Sequence, residues 1–110
     1  MKDMDLMQMK QYEIEYSDRY NEDLFEILDY LNSFSKQTAQ KYFQLINQKI
    51  NTLRMAPFGA SYVRNERLKE KGFRWLYIRN YCLFFRVCEN ERIVKIDRIL
   101  YSKRAYDLIL

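Results

Sequence analysis

Residues Phe73 to Arg104 read FRWLYIRNYCLFFRVCENERIVKIDRILYSKR, three extended runs joined by two short connections. In the first run Phe73, Trp75 and Tyr77 alternate with Arg74, Leu76 and Ile78. In the second, Tyr81, Leu83, Phe85 and Val87 alternate with Cys82, Phe84, Arg86 and Cys88. A period of two is the signature of strands with unlike faces. Arg79-Asn80 and Glu89-Asn90-Glu91 supply the turns, Asn being tolerant of left-handed backbone. The last run, Arg92 to Leu100, keeps the period imperfectly, as a bulge would make it do. A three-strand antiparallel meander confines the rest of the chain to covering it or extending it.

The preceding residues provide the cover. Tyr12, Ile14 and Tyr16 alternate with Glu13 and Glu15, which reads as a short strand buried on one side. Ser17 is a good N-cap, and Asp18 favours the positive end of a helix dipole. A helix is expected over 18–34, with Leu24, Ile27, Leu28 and Leu31 as its apolar stripe. Ser35 caps a second helix expected over 36–55, striped by Ala39, Tyr42, Phe43, Ile46, Ile50 and Leu53 and stopped by Pro57. The short link makes the two an antiparallel pair. Residues 58–72 read as a polar, basic loop. Residues 101–110 read as a loop with one helical turn at most.

The fold expected is α+β, in the order β-α-α-β-β-β, an antiparallel sheet with a two-helix hairpin packed on one face. Two Gly and one Pro in 110 residues leave little room for extra tight loops. Residues 11–110 are expected to form one domain after a loose tail, 1–10. The helices should cover Tyr81, Leu83, Phe85 and Val87. The open face should carry Arg74, Arg86 and Cys82, with Leu76, Ile78 and Phe84 exposed among them, and exposed apolar groups on a sheet call for a partner.

Charge is split along the chain. Residues 1–56 hold seven Lys/Arg against nine Asp/Glu, a net of −2; residues 57–110 hold twelve against six, a net of +6. A basic half suits a polyanionic or acidic partner. Cys82 and Cys88 in one strand would lie roughly 20 Å apart, at about 3.3 Å per residue. That is beyond the roughly 7 Å of a disulfide, so reduced thiols and a cytoplasmic location are expected. With no His and no paired Cys motif, neither metal nor cofactor is expected. No run is long and apolar enough for a membrane span.

The sequence resembles the RelE/ParE superfamily of bacterial toxins, the growth-inhibiting halves of toxin–antitoxin pairs. The resemblance rests on residues 12–18, Pro57-Phe-Gly59, Gly72-Phe-Arg74, Asn80-Tyr81, Phe85-Arg-Val87 and the closing Ile96-Asp-Arg-Ile-Leu-Tyr-Ser-Lys-Arg-Ala-Tyr106. It covers residues 11–110 and implies a toxin held inactive by a cognate antitoxin, for which Leu76, Ile78 and Phe84 are the expected contacts. RelE-type members are ribonucleases that cut mRNA in the ribosomal A site. ParE-type members poison DNA gyrase. The ribonuclease pattern implies catalytic roles for Arg74, Arg86, Tyr101 and Arg104, with Lys69, Lys71, Arg79 and Lys103 binding substrate. In that chemistry a 2′-hydroxyl attacks the adjacent phosphate, Arg residues stabilise the developing charge, and a general acid or base moves the protons. Tyr101 would serve only if Lys103 and Arg104 lowered its ordinary pKa of about 10. Leu76 and Cys82 stand where the ribonuclease pattern has basic residues. RelE-like mRNA cleavage is the first expectation, with ParE-like gyrase poisoning or a toxin fold without catalysis as the alternatives.

Overall fold

The computed structural model describes residues 11–110; the expected tail at 1–10 lies outside the described residues. The chain opens with β1 (Glu13–Tyr16) and passes through Ser17 into α1 (Asp18–Asn32). Ser17 caps α1 as expected, its Oγ accepting from the Tyr20 amide at 2.9 Å. Ser35 caps α2 (Lys36–Thr52) in the same way, accepting from Thr38 at 3.3 Å. Tyr20 and Leu31 of α1 and Ala39, Ile46 and Ile50 of α2 are buried, so the stripes are core. Phe43 is the exception and stays exposed.

The connection expected to be a loop contains a short helix, α3 (Glu66–Glu70). Asn65 caps it by accepting from the Leu68 amide at 3.1 Å. Gly72 ends it at φ +90°, with its own amide on the Lys69 carbonyl and that of Phe73 on the Leu68 carbonyl. This paired closure needs a left-handed residue, which is why Gly stands here. Then follow β2 (Arg74–Ile78), β3 (Tyr81–Cys88), β4 (Ile93–Tyr101) and a terminal turn, α4 (Tyr106–Ile109).

The expected succession of strands and long helices holds, and one pairing differs. The sheet order is β1-β4-β3-β2, and β1 runs parallel to β4, so the sheet is mixed rather than wholly antiparallel. A parallel pair needs a long crossover. The helical hairpin followed by the β2-β3-β4 meander supplies it. The imperfect period of β4 is a bulge: Phe84 pairs with Arg98 and Phe85 with Ile96, leaving Asp97 as the extra residue.

The helices cover Tyr81, Leu83, Phe85 and Val87 as expected, together with Val94, Ile96 and Ile99. The first meander strand, however, is turned over relative to expectation. Ile78 pairs directly with Tyr81 across the two-residue connection, Leu76 with Leu83 and Arg74 with Phe85. Paired residues share a face, so Arg74, Leu76 and Ile78 lie on the helix side. Ile78 is buried and Leu76 half-buried there, which corrects their expected exposure. The left-handed residue of this turn is Arg79, at φ 54°, rather than Asn80.

The opposite face is not open either. Val63 and Leu68 from the 58–72 segment, with Tyr106, Ile109 and Leu110 from the chain end, pack on Phe73, Trp75, Cys82, Phe84 and Leu100. Phe84 is 2% exposed and Cys82 3%. Enclosing a Phe side chain contributes about 1.5–3 kcal/mol, enough to justify folding a short segment over it.

Candidate functional site

Three separate places hold the residues expected to be catalytic. Arg86 of β3 lies on the outer face and is committed to Asp97, the bulged residue of β4. Its Nε donates to Oδ2 at 3.0 Å and its Nη2 to Oδ1 at 2.7 Å, with the guanidinium 5.1 Å from the Phe73 ring centre. Hydrogen bonding to Asp97 raises the Arg86 pKa further, so the guanidinium stays charged in this contact.

Arg74 stands at the start of β2, an edge strand. Residues 61–63 run along its outer side: Trp75 donates to the Ser61 carbonyl at 3.1 Å and Val63 to the Phe73 carbonyl at 3.0 Å. The Arg74 guanidinium lies 3.9 Å from the Tyr62 ring centre and 5.3 Å from that of Phe58, and Nη1 donates to the Ala60 carbonyl at 2.6 Å. Arg64, Lys69 and Arg74 line one open cleft of about 620 Å³. Lys71 is exposed outside that lining.

Tyr101 and Arg104 lie at the other end of the sheet. They share a cleft of about 500 Å³ with Tyr30, Tyr42, Tyr81 and Glu26. The Tyr101 and Tyr81 rings meet edge to face at 6.2 Å. Burial, then the neighbouring Tyr42, Tyr30 and Tyr101, push the Tyr81 pKa up, so its hydroxyl stays protonated at neutral pH. Arg79 faces a third hollow with Lys41 and Tyr42, and Lys103 is exposed beyond the end of β4.

These residues do not converge. Arg74 is paired with Phe85, and Tyr101 with Tyr81. Four residues of β3 separate the two levels, roughly 13 Å along the strand. Arg74 and the Tyr101–Arg104 pair therefore cannot grip one phosphate, and Arg86 is occupied with Asp97. Tyr106 is a packing residue: its ring stacks on Phe84 at 5.2 Å and its hydroxyl accepts from the Asn65 amide at 3.1 Å.

Sequence reasoning missed Asp23. This buried carboxylate takes Arg98 Nε at 2.7 Å and Nη2 at 2.8 Å, and the Ile99 amide at 3.1 Å. It satisfies β4 where β1 has ended, binding α1 to the sheet edge. The signal was present, since Asp23 lies four residues before Ile27 and eight before Leu31, within the apolar stripe. Phe58 and Tyr62 were also passed over; two aromatics beside a basic run were the available sign. Cys82 and Cys88 are both free thiols, and burial pushes Cys82 up to about 12. Among the described residues no cluster of His, Cys, Asp and Glu could hold a metal ion, and no helix is long and apolar enough to cross a membrane.

The model of the ParE toxins of type II toxin–antitoxin systems, parDE, matches residues 14–106. The fold is similar to the chromosomal ParDE system of P. aeruginosa, with a TM-score of 0.68 and 21% identity over 86% of this chain and 99% of that one. It is also similar to the toxin–antitoxin complex RelBE2 of Mycobacterium tuberculosis, with a TM-score of 0.60 and 15% identity over 84% and 99% of the two chains. Among curated proteins none matches the chain significantly.

Proposed function

Because the chain belongs to the ParE toxin family of type II toxin–antitoxin systems, we propose that it arrests growth by poisoning a protein target, DNA gyrase, rather than by cutting RNA. A cognate antitoxin holds it inactive. The observation that carries this reading is the dispersal of the cations. A phosphoryl-transfer centre needs preorganised donors around one developing charge. Here Arg86 is spent on Asp97, Arg74 sits on two aromatic rings beside the β2 edge, and Tyr101 with Arg104 occupy a different cleft. Binding a protein requires no such convergence.

The antitoxin has other apolar surface than Leu76, Ile78 and Phe84, which the chain itself covers wholly or in part. Phe25 and Phe34 are each 72% exposed, and Tyr30 and Tyr77 are also open to solvent. Ribosome-dependent cleavage survives as a second reading on one observation, the shared cleft of Tyr101 and Arg104.

Purified toxin is to be added to supercoiling reactions with gyrase and, separately, to ribosomes programmed with a defined mRNA. Inhibited supercoiling with trapped cleaved DNA, and intact mRNA, is the expected result. Cleavage of the mRNA within codons, lost in Arg104→Ala, would overturn the reading in favour of the ribonuclease. Inactivity in both assays, with antitoxin binding retained, would leave a toxin fold without activity and contradict both.

A further inference from the structure

The cleft at the outer edge of β2 carries charge of one sign. Every side chain of its lining that is charged at neutral pH is a cation: Arg64, Lys69 and Arg74. None of the three is in a salt bridge among the described residues, whereas Arg86 and Arg98 each hold an aspartate. Glu66 and Glu70 of α3 lie outside the lining. Arg64 and Lys69 are exposed, so no apolar packing explains their presence.

Arg74 is the fixed member. Its guanidinium lies against Tyr62 and near Phe58, with one N–H held by the Ala60 carbonyl. The other four of its five N–H donors make no hydrogen bond among the described residues, and the two rings orient their plane. Tyr62 and Phe58 are themselves 44% and 48% exposed. Cations following a backbone beside rings that bases can stack on are the two elements of single-strand recognition. A duplex keeps its bases stacked on one another and could use only the cations. An acidic peptide would use the cations but bring no base to stack on the exposed ring surface.

We infer that the Arg64–Lys69–Arg74 cleft binds single-stranded nucleic acid, through its phosphodiester backbone and a base on the exposed aromatics. Phosphate charge and base faces are common to both kinds of strand, so the cleft takes DNA and RNA alike. The inference goes beyond the choice of gyrase as target and holds whether or not that choice is right.

The test is fluorescence anisotropy with the full-length toxin and labelled twelve-nucleotide strands of DNA and RNA, and the DNA duplex of the same sequence. Single strands release about 0.7 counterion per phosphate contact, so three contacts give a log–log salt slope of about −2. The double variant Arg64→Gln/Lys69→Gln changes only exposed side chains. Its melting temperature should match the wild type, its slope should fall to about −0.7, and its affinity should drop at least tenfold in low salt. The double variant Lys36→Gln/Lys41→Gln, exposed on α2, removes the same charge elsewhere and should bind as the wild type does. Equal affinity for the DNA and RNA strands, with weaker binding of the duplex, is expected. The inference is overturned if both double variants weaken binding equally, if the duplex or one type of strand binds tenfold better than the other probes, if polyglutamate displaces the strand at equal charge, or if no salt-dependent binding occurs.

Discussion

The two faces of the sheet are closed in different ways. On one side lie α1 and α2, fifteen and seventeen residues long, each started by a serine cap. Their stripes meet Leu83, Phe85, Val94, Ile96 and Ile99, and Asp23 locks α1 to β4 through Arg98 and the Ile99 amide. On the other side the cover consists of α3, five residues, and α4, four residues. Its polar ties are the Tyr106 hydroxyl on Asn65 and Arg67 Nη2 on the carbonyls of Asp107 and Leu110, at 2.9 and 3.4 Å. The ion pair on this side, Arg86–Asp97, joins neighbouring strands and holds no covering element in place. Long helices carry their own backbone hydrogen bonds and need only an apolar stripe. Short covers depend on individual caps, a glycine and single aromatics.

The contrast is sharpest between the two arginine–aspartate pairs. Asp23→Ala would leave Arg98, 13% exposed, without a counter-ion and the Ile99 amide without an acceptor. Loss of about 3–5 kcal/mol is expected, read from urea unfolding. A smaller loss would mean that α1 is held by its apolar stripe alone. The next effect concerns the short cover. At Gly72 an added Cβ would meet nothing within 4 Å, so Gly72→Ala costs only the left-handed backbone, about 1–2 kcal/mol in the same unfolding experiment. A neutral result would show that the closure of α3 is not needed to hold Leu68 on Phe73. Asp97→Ala is expected to cost at most about 1 kcal/mol, because Arg86 is 40% exposed and water can replace its partner. If the two aspartate variants cost the same, burial does not distinguish the pairs.

A pH series separates the two cysteines, one under the short cover and one at its margin. Burial raises Cys82 to about 12 in the folded protein, while an unfolded thiol titrates near about 8.5. The unfolded chain therefore loses this proton first. Stability from this group is full below about pH 8.5 and is lost as pH rises toward 12. Melting temperatures at pH 8 and 10 should fall further for the wild type than for Cys82→Ala. With a thiol reagent at pH 8, Cys88 should react first, because Cys82 is buried and Cys88 is not. Equal rates would mean that the terminal cover opens readily.

Much of the helix-side structure is legible in the residues. Ser17 and Ser35 announce the helix starts, the stripes announce their faces, and Tyr81 to Cys88 alternates as β3 does. The face taken by β2 is not legible from its own alternation, because Phe73, Trp75 and Tyr77 on one face and Leu76 and Ile78 on the other are all large and apolar. The two-residue connection at Arg79-Asn80 decides it by placing Ile78 opposite Tyr81. The parallel seat of β1 is likewise set by the crossover and not by its four residues. The outer cover escaped because five-residue helices have no period to detect. The expected catalytic set was drawn from residue types in order along the chain. Strand register then placed Arg74 and Tyr101 at opposite ends of the sheet.

Pulse labelling of DNA and protein synthesis after induced expression in a bacterial host, with and without the antitoxin, tests most directly whether a dispersed surface of this kind acts by binding. DNA synthesis should stop first, with damage signalling, and Arg104→Ala should remain toxic. Protein synthesis stopping first, with messages cut within codons and toxicity abolished by Arg104→Ala, would contradict it.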